Sequence, residues 1–175
     1  MKVSQANRGQ GFEQLLNITN LQYERANIAL IHKRPTPMKV LRPQGMHFLS
    51  VFECKSTVDF DGVYQGRAIY FEAKSTREES RFDLKLIESH QLEHLEKAES
   101  IGGICFFLIE FAKSHEVFLV PLSTMRHYIL RARNGSRKSI PREDFEYCAY
   151  VVEKTKRAAL DYLVHVDKLI GEGVA

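Results

Sequence analysis

Apolar and polar residues alternate most clearly between residues 57 and 74, and this pattern predicts a β-hairpin. From residue 69 to residue 74 the odd-numbered positions are apolar, whereas the even-numbered positions are polar or amphipathic. Because side chains alternate between the two faces of a strand, Glu72 and Lys74 are expected on one face and the core on the other. Asp61–Gly62 is a strong turn dipeptide and Gly66 is a second breaker, so the turn is predicted around these residues.

Helical and strand patterns follow one another along the rest of the chain and predict an α/β fold. A helix over residues 7–27, with Asn7 as its N-cap, carries an apolar stripe and a polar stripe that includes Glu13 and Asn20. A mixed central sheet with helices on both faces is the expected architecture. Further strands are predicted at 28–31, 103–111, 117–120 and 147–153, and further helices at 88–101, at 123–133 and from about 159 onward.

Composition limits the class of protein without deciding its function. The chain has 175 residues, of which 44% are hydrophobic and 27% charged, and this suits one compact domain. A net charge of +3 permits nucleic-acid binding without arguing for it. The three cysteines are widely spaced and imply no disulfide framework, no signal peptide is evident, and the longest apolar run, Ile104–Ile109, is too short for a membrane span. These features predict a protein of a reducing cytoplasm.

Acidic residues on both strands of the hairpin form a pattern that suits a divalent metal. Asp59 and Glu72 can share one Mg²⁺, a cation that takes oxygen ligands and keeps several waters. Mn²⁺ can substitute at such a site. Lys74 beside them can stabilise the pentacovalent transition state at a scissile phosphate. The same Glu-x-Lys spacing also occurs in solvated cross-strand ion pairs, so the pattern by itself leaves both interpretations open.

The spacing Asp-(12 residues)-Glu-Ala-Lys resembles the signature of the restriction-endonuclease-like nucleases. Five motifs occur around it in a fixed order: His32–Pro37, Ser56–Tyr64, Phe71–Lys74, His90–His94 and Gly103–Phe106. Together they resemble the RecU-type Holliday-junction resolvases of Gram-positive bacteria. This resemblance runs from about residue 8 to about residue 166, which is nearly the whole chain.

The resemblance implies a fold, a reaction and an assembly. The fold is restriction-endonuclease-like, a mixed central sheet flanked by helices, with residues 1–175 forming a single nuclease domain. The reaction is Mg²⁺-dependent hydrolysis of phosphodiesters in four-way DNA junctions during recombination and repair. Paired symmetric nicks require two active sites, so a two-fold homodimer is expected, with recombination proteins as further partners.

The resemblance also assigns roles to residues outside the hairpin's second strand. Thr57 and Gln91 would join Asp59 and Glu72 as metal ligands. Gln91 falls on the apolar stripe of its helix, and an amide oxygen turned towards the metal would satisfy it there. Glu13 would act at the same site from the first helix. The alternative is that Glu13 belongs to the solvent-facing side of that helix.

Basic residues are expected to follow the phosphate backbone of DNA. Some of them lie at about 36–56, which corresponds to the stalk that enters the centre of the junction in RecU-like proteins. This segment is shorter here than in the bacterial proteins, and a shortened stalk also suits a phage-borne relative that acts in its host's cytoplasm. The candidate DNA contacts are Arg8, Lys33, Arg34, Lys39, Arg42, Arg77 and Arg81.

Two other functions remain open at the level of the sequence. A shorter stalk permits a nuclease of the same fold that cuts branched or duplex DNA without junction specificity. The second alternative is a junction-binding protein that does not cut. Asp59, Glu72 and Lys74 argue against this second alternative, because a protein that only binds DNA has no need for them.

Overall fold

The structure of the protein is a computed structural model that describes residues 9–53 and 56–172. Within these ranges the chain forms five α-helices and ten β-strands, with short 3₁₀ turns at Leu84–Leu86 and Arg142–Asp144. The helices are α1 (Gln10–Arg25), α2 (Ser89–Ser100), α3 (Leu122–Arg133), α4 (Phe145–Cys148) and α5 (Leu163–Glu172). The strands are β1 (Ala29–Lys33), β2 (Met38–Gln44), β3 (His47–Phe52), β4 (Phe60–Tyr64), β5 (Arg67–Thr76), β6 (Arg81–Asp83), β7 (Ile104–Phe111), β8 (Glu116–Pro121), β9 (Ser139–Pro141) and β10 (Tyr150–Val151).

Six strands form the central sheet, in the order β1-β4-β5-β7-β8-β10. β5 and β7 are parallel, and the other neighbouring pairs in this sheet are antiparallel. The crossover between the parallel strands carries α2, which covers one face of the sheet together with α3. α1 and α5 cover the opposite face. The predicted mixed α/β sheet with helices on both faces is therefore confirmed.

The turn of the β4–β5 hairpin differs from the prediction. It lies at Gln65 and Gly66, which have φ angles of 50° and 72° and so suit a tight two-residue hairpin connection. Asp61 and Gly62 instead lie inside β4, so their assignment to the turn is wrong. A Cβ at Gly62 would lie 2.0 Å from the carbonyl oxygen of Leu30. The glycine is therefore required for the close approach of β1 to β4, not for a turn.

The first helix confirms its predicted apolar stripe but not the whole of its polar one. Phe12 and Tyr23 are buried against the sheet. Asn20, which was placed on the polar stripe, is also buried, and it accepts a hydrogen bond from the hydroxyl group of Tyr162. A polar side chain inside the core is satisfied only by such a partner, and the partner comes from a distant part of the chain. The predicted cap Asn7 lies outside the described residues.

The last strand and the closing helix are both shorter than predicted. Strand pairing is limited to Tyr150 and Val151, whereas residues 145–148 are helical. That helical turn directs Phe145 into the core, where its ring packs edge-on against Phe111. The closing helix begins at Leu163 and not near residue 159.

The segment between β10 and α5 is joined to α1 by a buried carboxylate. Asp161 accepts hydrogen bonds from Tyr23 at 2.9 Å, from Thr155 at 2.6 Å and from Arg157 at 2.7 Å. Burial raises the pKa of Tyr23, and the charge of Asp161 adds to the increase, so the phenol remains a donor. This cluster joins α1, which carries Glu13, to the segment that leads into α5.

β2 and β3 form an antiparallel ribbon that is separate from the central sheet. It occupies most of the segment predicted to be stalk-like, and residues 54 and 55 of that segment lie outside the described ranges. In the described part of the chain, none of the helices is both long enough and apolar enough to cross a membrane.

Gly62→Ala is expected to destabilise the fold by roughly 1–3 kcal/mol, because the new Cβ forces β1 away from β4. Urea unfolding followed by circular dichroism measures this loss. Gly11→Ala in α1 is the matched control: its Cβ meets nothing within 4 Å, and alanine favours a helix by about 0.5–1 kcal/mol. An unfolding midpoint for Gly62→Ala equal to that of the wild type would contradict the requirement for glycine.

Candidate metal centre

The pairing of β4 with β5 places Asp59 beside Glu72. Phe60 lies opposite Phe71 in the register, and their rings stack with centroids 4.9 Å apart. Asp59 directly precedes Phe60, and Glu72 directly follows Phe71, so the two acidic residues lie next to each other on neighbouring segments of the hairpin. The backbone N–H of Asp59 donates to Glu72 Oε2 at 3.2 Å, and the N–H of Ala73 donates to Asp59 Oδ2 at 3.0 Å. The two carboxylates predicted to share a metal are therefore neighbours.

Glu72 is fully buried, with 0% of its surface exposed. Burial raises the pKa of its carboxyl group to about 8, and the negative charge of Asp59 adds to this increase, whereas Lys74 acts in the opposite direction. A carboxylate in such a place is stable as an anion only with strong donors or a cation beside it. A divalent cation held by Asp59 and Glu72 would supply that charge.

Lys74 provides one of the donors. Its ammonium group lies 2.7 Å from Glu72 Oε1, and its side chain is 19% exposed. Both residues lie on the same face of β5, two positions apart, as predicted from the alternation of the strand. The lysine is therefore held against the carboxylate while part of it remains accessible from outside.

Gln91 provides another donor, in an orientation opposite to the predicted one. Its amide nitrogen, and not its oxygen, faces the site and donates to Glu72 Oε1. Its oxygen accepts the backbone N–H of Glu88 at 3.2 Å, as part of the capping box at the start of α2. The position of Gln91 on the buried side of α2 is confirmed. For its oxygen to bind a metal, the amide would have to turn over and give up the cap.

Thr57 is held by an arginine that links two strands of the sheet. Arg34 donates to both carboxylate oxygens of Asp61, at 3.0 and 3.1 Å, and to the hydroxyl oxygen of Thr57. The backbone N–H of Arg34 donates to the carbonyl oxygen of Asp59 at 2.8 Å. The guanidinium group predicted to contact DNA is thus engaged within the protein, where it orders the segment that carries Thr57 and Asp59.

Glu13 forms an ion pair with Lys33 at the end of β1. Lys33 lies opposite Phe60 in the register, next to the segment of Asp59. The carboxylate of Glu13 is therefore near this end of the sheet, but its hydrogen-bond partner is Lys33 and not one of the predicted metal ligands. Its predicted role at the metal stays a prediction.

The donor set fits Mg²⁺ better than zinc. Among residues 9–53 and 56–172, no group of three or more His, Cys, Asp or Glu side chains is arranged to hold a metal. Asp59 and Glu72 supply two carboxylates, and Thr57 can add a hydroxyl oxygen. Mg²⁺ accepts such oxygen ligands and keeps several waters, so an incomplete protein shell suits it.

Of the basic residues predicted to contact DNA, Lys33, Arg34 and Arg77 lie at or just beyond the end of the central sheet that carries the candidate centre. β1 and β5 end there and β4 begins there, because the neighbouring pairs are antiparallel. Arg77 follows the end of β5 and is exposed. Arg81 in β6 is also exposed and pairs with Asp83 at 3.1 Å. Lys39 and Arg42 are exposed on the ribbon, and Arg8 lies outside the described residues.

Sequence reasoning missed Asp61 as a residue that supports the site. Its carboxylate neutralises Arg34, which is 27 positions away in the chain. The only sequence feature that pointed to Asp61 was its position two residues after Asp59. The sequence analysis instead interpreted Asp61–Gly62 as a turn. Tertiary pairing of β1 with β4 was needed to join the two residues.

One protein-family model, that of RecU (Recombination protein U), matches residues 7–168. The chain belongs to this family. Among its relatives, the Holliday junction resolvase RecU of Pediococcus pentosaceus is 36% identical over 169 residues, which cover 93% of this chain and 84% of the relative. The Holliday junction resolvase RecU of Limosilactobacillus reuteri is 37% identical over 171 residues, which cover 94% of this chain and 84% of the relative.

The solved structure of Hjc, a Holliday junction resolvase of Archaeoglobus fulgidus, is also similar to this RecU-family chain. It is 12% identical, with a TM-score of 0.34, and the match covers 93% of this chain and 99% of that one. A likeness at this level carries no argument about the centre.

Mg²⁺ is expected to raise the melting temperature of the wild type by about 5 °C at roughly 100-fold excess over its dissociation constant, because it binds only the folded state. Asp59→Asn and Glu72→Gln should abolish this shift in differential scanning fluorimetry at constant ionic strength. Glu110→Gln is the matched control, since Glu110 lies opposite Ser75 on the other face of the sheet and bonds to its hydroxyl group. An unchanged shift in both site variants would refute the centre.

Proposed function

We propose that this protein is a Mg²⁺-dependent endonuclease that resolves four-way DNA junctions by paired symmetric nicks. The observation that carries the proposal is the buried Glu72 beside Asp59, with Lys74 at 2.7 Å from its carboxylate. The relatives named Holliday junction resolvase support the choice of substrate. Mn²⁺ is expected to replace Mg²⁺, because both take oxygen ligands.

Asp59 and Glu72 would hold the metal, with the hydroxyl oxygen of Thr57 as a further ligand. A bound Mg²⁺ lowers the pKa of a coordinated water and polarises the phosphate. Arg34 and Gln91 act through other residues: Arg34 orders the segment of Thr57, and Gln91 fixes one oxygen of Glu72. We therefore propose that Gln91 positions Glu72 and does not bind the metal itself.

Lys74 would stabilise the charge that develops on the phosphate. In the structure its ammonium group is held by Glu72, which limits the number of positions it can take. A cation fixed in advance beside the reacting phosphate needs no reorganisation in the transition state. Glu13 forms an ion pair with Lys33, and the two residues are proposed to act together at the solvent-facing side of the same site.

DNA would approach the edge of the sheet where the candidate centre lies. Lys33, Lys39, Arg42, Arg77 and Arg81 are candidate phosphate contacts, and Arg8 remains one by its sequence. Such contacts set affinity and position and do not read sequence. Two nicks in one junction require two centres, so the acting species is a homodimer in the cytoplasm, together with recombination proteins.

Lys74→Ala is expected to lower the nicking rate by about 100-fold or more, and to change junction affinity by less than about fivefold, because one phosphate contact among many carries a small share of binding. Single-turnover cleavage and gel-shift titration measure the two quantities. Lys85→Ala is the matched control, since it removes an exposed lysine from the 3₁₀ turn before α2. Near wild-type cutting by Lys74→Ala would show that the role given to Lys74 is wrong.

The substrate itself is tested with a synthetic mobile four-way junction beside matched three-way and linear duplex DNA, each with Mg²⁺ and with chelator. Strands labelled one at a time should reveal paired nicks at symmetric positions of the junction only, and none with chelator. Equal cutting of all three substrates would instead indicate a nuclease without junction specificity. Tight junction binding without any cutting would indicate a binding protein.

A further inference from the structure

α2 and α3 lie side by side on one face of the central sheet, and an open groove separates them at one end. In the first half of α3, Arg126 donates to Glu99 of α2 at 2.6 Å and bridges the two helices. Further along, Ile129 and Ala132 of α3 face the start of α2 across a cavity of about 470 Å³. The described residues that line this α2–α3 groove include none of the candidate metal ligands and none of the candidate DNA contacts.

The floor of the α2–α3 groove is apolar. Leu84 and Leu92 are 8% and 5% exposed and belong to the core cluster on this side of the sheet. Ile87, Ile129 and Ala132 pack against that cluster and remain partly exposed. A concave apolar surface that stays open to solvent between two helices is a common place for a binding partner.

The rim of the groove is positively charged on the side of α3. Arg133 is the last residue of α3 and Lys138 directly precedes β9, and both side chains are exposed. Within the described part of the chain neither of them forms an ion pair. Lys85 also lies at the rim, but it pairs with Asp83 at 3.5 Å. Residues 131–138 contain four cationic side chains and no acidic one, so this side attracts an anionic group.

The acidic residue of the rim does not offset this charge freely. Glu88 lies on the side of α2, where its side chain accepts the backbone N–H of Gln91 in the capping box. It also lies 3.4 Å from Nδ1 of His90. Its carboxylate is therefore engaged within α2, whereas Arg133 and Lys138 remain available to an anionic partner.

An acidic amphipathic helix fits both the floor and the rim. A groove between two helices accepts a third helix, whose apolar side chains fill the floor at spacings of three and four residues. Acidic residues along the edge of that helix would meet Arg133 and Lys138. The parts of this chain outside the described ranges do not suit the groove. Residues 1–8 contain two cations and no acid, and residues 173–175 follow α5, which covers the opposite face of the sheet.

We propose that the α2–α3 groove binds an acidic amphipathic helix of another protein. A contact of this kind is small, so an isolated helix is expected to bind with a dissociation constant of about 10–100 µM. Gln91 lies on the side of α2 that faces Glu72. A helix held in the groove would therefore lie behind α2 and leave the candidate metal centre open to DNA. The inference goes beyond the proposed function and requires neither metal nor cleavage.

Fluorescence anisotropy of a labelled synthetic peptide, titrated with the full chain, tests the groove. The peptide has about 15 residues, with leucines three and four positions apart and glutamates on its other face. Two matched peptides carry lysine in place of glutamate or serine in place of leucine, and each should bind at least about tenfold more weakly. In protein labelled at isoleucine methyl groups, the glutamate peptide should shift the NMR signals of Ile87 and Ile129. The signal of Ile101, just beyond the other end of α2, should stay in place.

Two pairs of variants separate the charge of the rim from the apolar floor. Arg133→Glu should raise the dissociation constant of the glutamate peptide about tenfold or more. Arg131→Glu is its matched control, because it makes the same change of charge on α3 at a residue that does not line the groove, and its effect should stay within about twofold. Ile129→Ala should weaken binding about fivefold, whereas Leu130→Ala removes an exposed side chain next to it and should not. Circular dichroism checks that all four variants fold.

Several outcomes would overturn the proposal. They are equal binding of the three peptides, no binding of the glutamate peptide up to about 1 mM, and equal effects of the two arginine variants. Displacement of the peptide by four-way junction DNA would assign the surface to nucleic acid. Loss of peptide binding as the protein associates with itself would assign it to a second copy of the chain. Because none of these measurements uses cleavage, failure of the groove is distinguishable from failure of the nuclease proposal.

Discussion

The fold of this protein has to accommodate a carboxylate at a position without solvent. An isolated buried carboxylate is strongly unfavourable, and it becomes acceptable only when donors surround it. Glu72 receives the backbone N–H of Asp59, the ammonium group of Lys74 and the amide of Gln91. These donors come from the residue before β4, from β5 and from α2. The carboxylate is therefore satisfied only when the hairpin and the crossover helix are both in place.

The same requirement links stability with chemistry. Two carboxylates side by side repel each other, and burial favours the protonated form of Glu72. Sites that are costly for the fold persist where function needs them, and the need proposed here is to bind a divalent cation. Two nearby ion pairs, Arg34 with Asp61 and Lys33 with Glu13, order the neighbouring segments. Neither pair uses the carboxylate of Asp59 or Glu72.

The β2–β3 ribbon lies outside the central sheet but is connected to the segment of the candidate centre. It begins and ends beside Asp59, so anything that orders the ribbon also acts on the segment that carries the centre. The register of the ribbon separates a face that carries Lys39 and Arg42 from a face that carries Phe48 and Phe52.

Elements whose patterns are local could be predicted from the sequence alone. Alternation in β5 placed Glu72 and Lys74 on one face, the apolar stripe of α2 turned Gln91 inward, and the run of β7 identified a central buried strand. Contacts between residues far apart in the chain depend on tertiary packing, as for Arg34 with Asp61 and Asn20 with Tyr162. Gly62 was predicted in a turn but lies in a strand. The backbone of β1 requires a glycine there, and residues adjacent to Gly62 in the sequence do not reveal that requirement. The orientation of the Gln91 amide depended on the cap of α2 and on Glu72 together. Local periodicity reports which side of an element is apolar, whereas hydrogen-bond partners are set by the packing of elements that are distant in the chain.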